Sequence, residues 1–126
     1  MPLVHVHLRE GKSPEFHRAI CDAVFAALVS EAGAPAESRF CFVHEYREGR
    51  ILVHPTYGGV ARSEDPLLIE VTLNSGRAAE VKSSLYRGIV RNLEKAIDVR
   101  PDDVIVSLRE VPRENWSFGR GIATYL

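Results

Sequence analysis

The second residue of the chain is proline, directly behind the initiator methionine and at the head of the apolar run "PLVHVHL". Once exposed as a chain terminus, a proline carries a secondary amine. Terminal amines titrate near ~7.7–8.0, and an apolar pocket or neighbouring cations lower that value into the range useful for general base catalysis. Initiator methionine is removed where the second residue is small, and proline qualifies. Pro2 also has a purely mechanical use, because proline is tolerated at the start of an edge strand.

A second group with chemistry in it is Arg77, one residue after Gly76 and at the mouth of a predicted helix. Backbone N–H groups and the helix dipole there favour an anion, and a guanidinium adds a bidentate grip on a carboxylate. The competing reading is a solvated arginine at a helix end. Arg39 flanks a strand, and Arg120 sits between Gly119 and Gly121 in a turn. The segment "WSFGRG" brings the single tryptophan, Trp116, next to Phe118, two glycines and a cation. It suits either the wall of a small water-excluding pocket or a tail packed on the core or on a neighbouring subunit. His5 and His7 are two apart on a strand and share a face, as metal ligands can. No third ligand at readable spacing accompanies them, which favours surface or interface histidines. The chain has no nucleophile elbow, phosphate loop or dinucleotide fingerprint.

The elements that must position these groups are written twice. Gly11 and Gly76 lie 65 residues apart, and the same offset pairs Leu3 with Leu68, Val6 with Val71, Leu8 with Leu73, Glu15 with Glu80, Leu28 with Leu93 and Glu45 with Glu110. Each copy, about 2–49 and 67–114, reads strand, helix, strand. Phe16, Ile20, Val24 and Leu28 recur at four-residue spacing, as do Val81, Leu85, Ile89, Leu93 and Ile97, giving one apolar stripe per helix. Ser13 followed by Pro14 predicts a helix start, and Gly33, Pro35 and Pro101 punctuate the exits. A strand–helix–strand unit closes as a right-handed crossover with parallel strands. Two of them predict an α+β, two-layer fold: a four-stranded mixed sheet with both helices on one face. The other face then needs cover, which points to an oligomer. The linker "EGRILVHPTYGGVARSED" is expected to hold a short strand at Ile51–Val53 and then a glycine turn.

Composition narrows the classes further. A chain of 126 residues fits one domain with one core. The net charge of -1 offers no electrostatic basis for binding nucleic acid or an anionic membrane. No apolar run approaches the ~20 residues that span a bilayer, and the charged N-terminus does not read as a signal peptide, so a cytoplasmic protein is expected. Cys21 and Cys41 lack C-x-x-C spacing and are expected to be buried thiols in a reducing compartment.

Taken together, "PLVHVHLREGKSPEF", "GAPAESRF" and "PDDVIVSLREVPRENWSFGRGIATYL" resemble the tautomerase superfamily, and within it the malonate semialdehyde decarboxylase-like family. "GRAAEVK" is similar to the same turn in the cis-3-chloroacrylic acid dehalogenase group. The resemblance implies a homotrimer and a small carboxylate-bearing substrate, with no metal and no organic cofactor. It implies Pro2 as the catalytic proline, Arg77 as the arginine that handles the substrate carboxylate, and Trp116 and Phe118 as pocket wall. Ser38 stands before Arg39 where the decarboxylase has an aspartate, and Ser75 stands where it has its first arginine. A carboxylate beside the prolyl nitrogen favours its cationic form. Without one, the neutral amine that a tautomerase needs is easier to reach. The expectation is therefore a keto–enol tautomerase acting on a small 2-oxo acid, with Ser38 free to hydrogen-bond substrate or water. The alternatives are a decarboxylase or hydratase with a cationic Pro2, and a non-catalytic trimeric binding protein of the same fold.

Overall fold

Alternation decides the strands. In the computed structural model, which describes residues 1–126, β1 (Leu3–Arg9) buries Val4, Val6 and Leu8 on one face. Its other face carries Leu3, His5, His7 and Arg9, all part-exposed. β3 (Leu67–Asn74) repeats the pattern by burying Leu67, Ile69, Val71 and Leu73. The two lie antiparallel at the centre of the sheet, with Leu3 opposite Thr72 and His7 opposite Leu68. β2 (Phe40–Tyr46) runs parallel to β1, and β4 (Val104–Val111) runs parallel to β3, giving the order β2-β1-β3-β4. This is the mixed four-stranded sheet of two repeated units that the sequence predicts.

The crossovers are two long helices, α1 (Pro14–Ala32) and α2 (Ala79–Ile97). Ile20, Val24 and Leu28 of α1 join Leu85, Ile89 and Leu93 of α2 and the buried strand residues in one core of 17 residues. Each large aliphatic side chain so buried contributes about 1.5–3 kcal/mol. α1 starts as predicted: the Ser13 hydroxyl oxygen accepts from the Phe16 amide at 3.1 Å, and Pro14 opens the first turn. Gly33 ends it at φ 68°, a left-handed backbone that side chains resist. Where the helices cross, a β-carbon on Gly88 would meet Glu31 Cγ at 3.1 Å and Ala27 Cβ at 3.4 Å. That glycine permits the close approach. No helix is long and apolar enough to cross a membrane.

Two expectations fail. Ile51–Val53 forms no strand: a ladder needs a partner edge, and the segment pairs with neither outer strand. Leu52 is instead 89% exposed, and the only regular piece of the linker is a 3₁₀ turn at Tyr57–Gly59. Nor are Cys21 and Cys41 separate thiols, because they are joined as a disulfide between α1 and β2. Their Cα atoms lie 6.4 Å apart, within reach of such a bridge. A separation of 20 positions takes the chain out along α1 and back into β2, so the sequence spacing conceals the approach.

Candidate active site

One end of the sheet gathers the start of β1, the start of β2, the end of β3, the mouth of α2 and the C-terminal tail. Pro2 is buried there, immediately ahead of β1. The antiparallel register puts Leu3 opposite Thr72, so Pro2 enters beside the last residues of β3. Met1 precedes it and donates from its amine to the Tyr125 hydroxyl at 3.1 Å. Burial pushes the pKa of that amine below the ordinary value for a chain terminus, because the charged form loses water it cannot replace.

The tail folds back over this end. The Thr124 amide donates to the Trp116 carbonyl at 3.0 Å, and the Phe118 amide donates to the Thr124 hydroxyl at 2.9 Å. Gly119 and Gly121 at φ 150° and 68° allow the reversal, and Arg120 between them is also left-handed at φ 59°. The loop stacks Trp116 on Phe118 with centroids 5.1 Å apart, and sets Phe118 against Phe40 of β2 at 4.9 Å. Tyr125 meets Phe118 edge-on at 6.2 Å, and the Arg113 guanidinium lies 5.3 Å above the Tyr125 ring. An aromatic corner therefore meets the terminal amine through Tyr125.

Arg77 reaches the same end and is held there by main chain. Its Nε and Nη2 donate to the Ala32 carbonyl at 3.0 and 2.9 Å, and Nη1 donates to the Asn74 carbonyl at 3.1 Å. It thus closes the C-terminus of α1, where carbonyls lack helical partners. A guanidinium has five N–H groups, so two remain for an anion. Asn74 ties this cation to the aromatic corner, since its side-chain oxygen accepts from Trp116 Nε1 at 2.7 Å.

The remaining predicted residues lie less centrally. The Ser38 hydroxyl donates to the Pro35 carbonyl at 2.7 Å, which leaves its oxygen lone pairs free. Arg39 turns toward α1, pairing with Asp22 and lying 5.5 Å over the Phe25 ring. Ser75 is exposed, its amide bound to the Val111 carbonyl at 3.0 Å. His5 and His7 belong to the open face of the sheet, away from the helices. His5 Nδ1 is 2.7 Å from His44 Nε2, and His7 contacts the Tyr46 hydroxyl at 2.6 Å and Glu70 at 3.2 Å. Desolvation first, then the neighbouring His7 and His5, lower the His44 pKa.

Sequence reasoning missed Asn74, Tyr125, Phe40 and Glu110. Glu110 reaches from β4 to accept from the Gly76 amide at 3.1 Å and to pair with Lys82. The Lys82 hydrogen bond and the Gly76 and Arg77 amides hold its carboxyl below the usual range. One signal was available for it: Glu45 and Glu110 are matched acids in the repeat.

Comparison with known proteins agrees with this fold. Two family profiles described as "Tautomerase enzyme" match residues 38–119 and 2–61. The probable tautomerase YusQ of Bacillus subtilis (strain 168) is 31% identical over 98% of this chain and 97% of its own length. The probable tautomerase YrdN of the same organism is 31% identical over 100% of the chain and 97% of its own. Among solved structures, malonate semialdehyde decarboxylase superposes with a TM-score of 0.90 at 33% identity, over 98% of this chain and 95% of that one. A fused 4-OT symmetric trimer superposes at 0.77 with 28% identity, over 98% and 97%. The chain belongs to the tautomerase family and is an enzyme of that superfamily.

Proposed function

We propose that the protein catalyses keto–enol proton transfer on a small 2-oxo acid, with Pro2 as general base and acid after Met1 is removed. The observation that carries this reading is geometric: Pro2 is buried at the end of the sheet where the chain terminus meets Tyr125 of the aromatic corner. An apolar surrounding of that kind disfavours the charged form of an amine and so favours a neutral prolyl nitrogen. Neutral, it takes the enol hydroxyl proton and returns it to carbon, so the ammonium exists only between the two transfers. The two free N–H groups of Arg77 hold the substrate carboxylate. Trp116 and Phe118 keep water out, which strengthens both interactions. Ser38 offers its oxygen as an acceptor to substrate or water. Arg39, paired with Asp22, serves the rim of the site, and Ser75 the solvent side of the Arg77 turn.

The assembly that fits is a homotrimer. Phe40 and Phe42 stand 41% and 54% exposed on β2, and the fused 4-OT relative is a trimer. Ketonisation of phenylenolpyruvate by wild type and by Pro2→Ala tests the assignment, and equal rates would sink it. A second reading, decarboxylation or hydration with a cationic Pro2, has support in the likeness to malonate semialdehyde decarboxylase at TM-score 0.90. It requires a prolyl pKa raised by a neighbouring acid, whereas position 38 carries a hydroxyl. Titration of the prolyl nitrogen by NMR separates the two: below ~7.7 it is the base, above it the acid.

A further inference from the structure

The bridge between Cys21 and Cys41 sits outside the 17-residue core; both cysteines only pack against it. The fold therefore has its apolar interior without the bridge. Both cysteines line an open cavity of about 300 Å³ together with His17, Arg18, Asp22 and Arg39. Asp22 is taken by Arg39, while Arg18 makes no ion pair. His17 Nε2 is buried without a hydrogen-bond partner and lies 3.7 Å from Glu45. Arg18 is thus the one lining cation of this cavity that no carboxylate pairs. Cations of this kind stabilise thiolates and make cysteine sulfur reactive.

We propose that Cys21–Cys41 is an exchange site for an anionic low-molecular-weight thiol bound in this cavity. The thiolate RS⁻ attacks one sulfur; a Cys–S–S–R bond forms, the Cys–Cys bond breaks, and the other cysteine leaves as a thiolate beside Arg18. A second RS⁻ cleaves the mixed disulfide, so two thiolates are oxidised to RSSR and the protein pair is reduced to two thiolates, which take protons from solvent to become the dithiol. With RSSR in excess the same steps run backwards and restore the bridge. Arg18 attracts the carboxylates of the incoming thiol and favours the departing thiolate. Proton transfer at Pro2 plays no part in this exchange.

The test uses the full-length oxidised protein with glutathione, which carries two carboxylates, and with cysteamine, which is cationic, at matched thiolate concentration. Samples are quenched by alkylation and mapped by mass spectrometry. The expected result is a mixed disulfide at Cys21 or Cys41, formed about fivefold faster with glutathione, the size of one partly screened unit charge at close range. Arg18→Gln should bring the two rates together. The reduced wild type should keep its far-ultraviolet circular dichroism and a cooperative melt, and it serves as the bridge-free control where Cys21→Ser folds poorly. Equal rates for the two thiols in wild type would overturn the proposal. So would a bridge that reacts only after denaturation, or two thiols that stay free in excess oxidised glutathione.

Discussion

The β1–α1–β2 and β3–α2–β4 halves share one plan and use it differently. α1 is capped by its own Ser13, whereas α2 has Ala78 at that place and no side-chain cap. Its mouth is served instead from β4, by Glu110 on the Gly76 amide and on Lys82. The repeat mates of that pair, Glu45 and His17, only approach to 3.7 Å. Pro2 corresponds to Leu67, which is plain core at 4% exposure. Ser38 corresponds to Asp103, a buried acid that accepts from the Ser63 amide and hydroxyl, both at 2.7 Å, with Arg100 at 3.4 Å. Arg77 corresponds to Lys12, which faces Asp65 at 3.5 Å and the Phe16 ring. At one end of the sheet the polar groups are consumed by structure. At the other, two guanidinium N–H groups of Arg77 and the hydroxyl oxygen of Ser38 are left over.

Paired substitutions probe this difference. Pro2→Ala should lower kcat/KM by about 10²–10⁴-fold, the usual reach of general acid–base catalysis, and leave the melting curve nearly unchanged. Leu67→Ala should do the reverse, costing about 2–5 kcal/mol in denaturant unfolding while substrate affinity persists in the folded fraction. Next in size, Asp103→Ala should cost about 2–3 kcal/mol, because it strands donors on Ser63 and Arg100. Ser38→Ala at the matching place should stay within about 0.5 kcal/mol in the same assay. Glu110→Ala should loosen the turn that carries Arg77, raising KM for the carboxylate substrate about tenfold and speeding amide exchange at the start of α2. Glu45→Ala should leave amide exchange at α1 unchanged, because Ser13 caps that helix.

The smallest effect concerns the open face. The folded pKa of His44 is depressed, so between its folded and unfolded values the unfolded chain binds the extra proton. Stability should therefore be complete above the unfolded value near ~6.5 and decline as pH falls through that window. His44→Gln should flatten the dependence in pH-resolved denaturant titrations. An unchanged slope would overturn this assignment to His44.

Local physics made much of this readable in advance. Alternation along β1 and β3, the four-residue stripes of both helices and the Ser13 and Gly33 caps each depend on neighbours in sequence. The failures all concern partners that meet only through folding. Glu110 and Gly76 are joined across a crossover, Cys41 comes under Cys21, and Gly88 stands where a second helix crosses. Ile51–Val53 has the apolar, branched composition of a strand but is joined to neither outer edge of the sheet. In the site, the apolar corner was legible from "WSFGRG", because aromatic side chains between glycines need somewhere to pack. The tie through Asn74 was not, since its repeat mate is Arg9 and nothing local marks it.

The seat of Arg77 on the Ala32 carbonyl has a consequence for how such a chain can be divided. The cation belongs to the second copy, while the carbonyl that aims it closes the helix of the first. Cut within the linker, neither fragment would hold an aimed cation beside an N-terminal proline, and only the two pieces reassembled would. Any duplicated ancestor that came to depend on this contact could no longer work as separate halves.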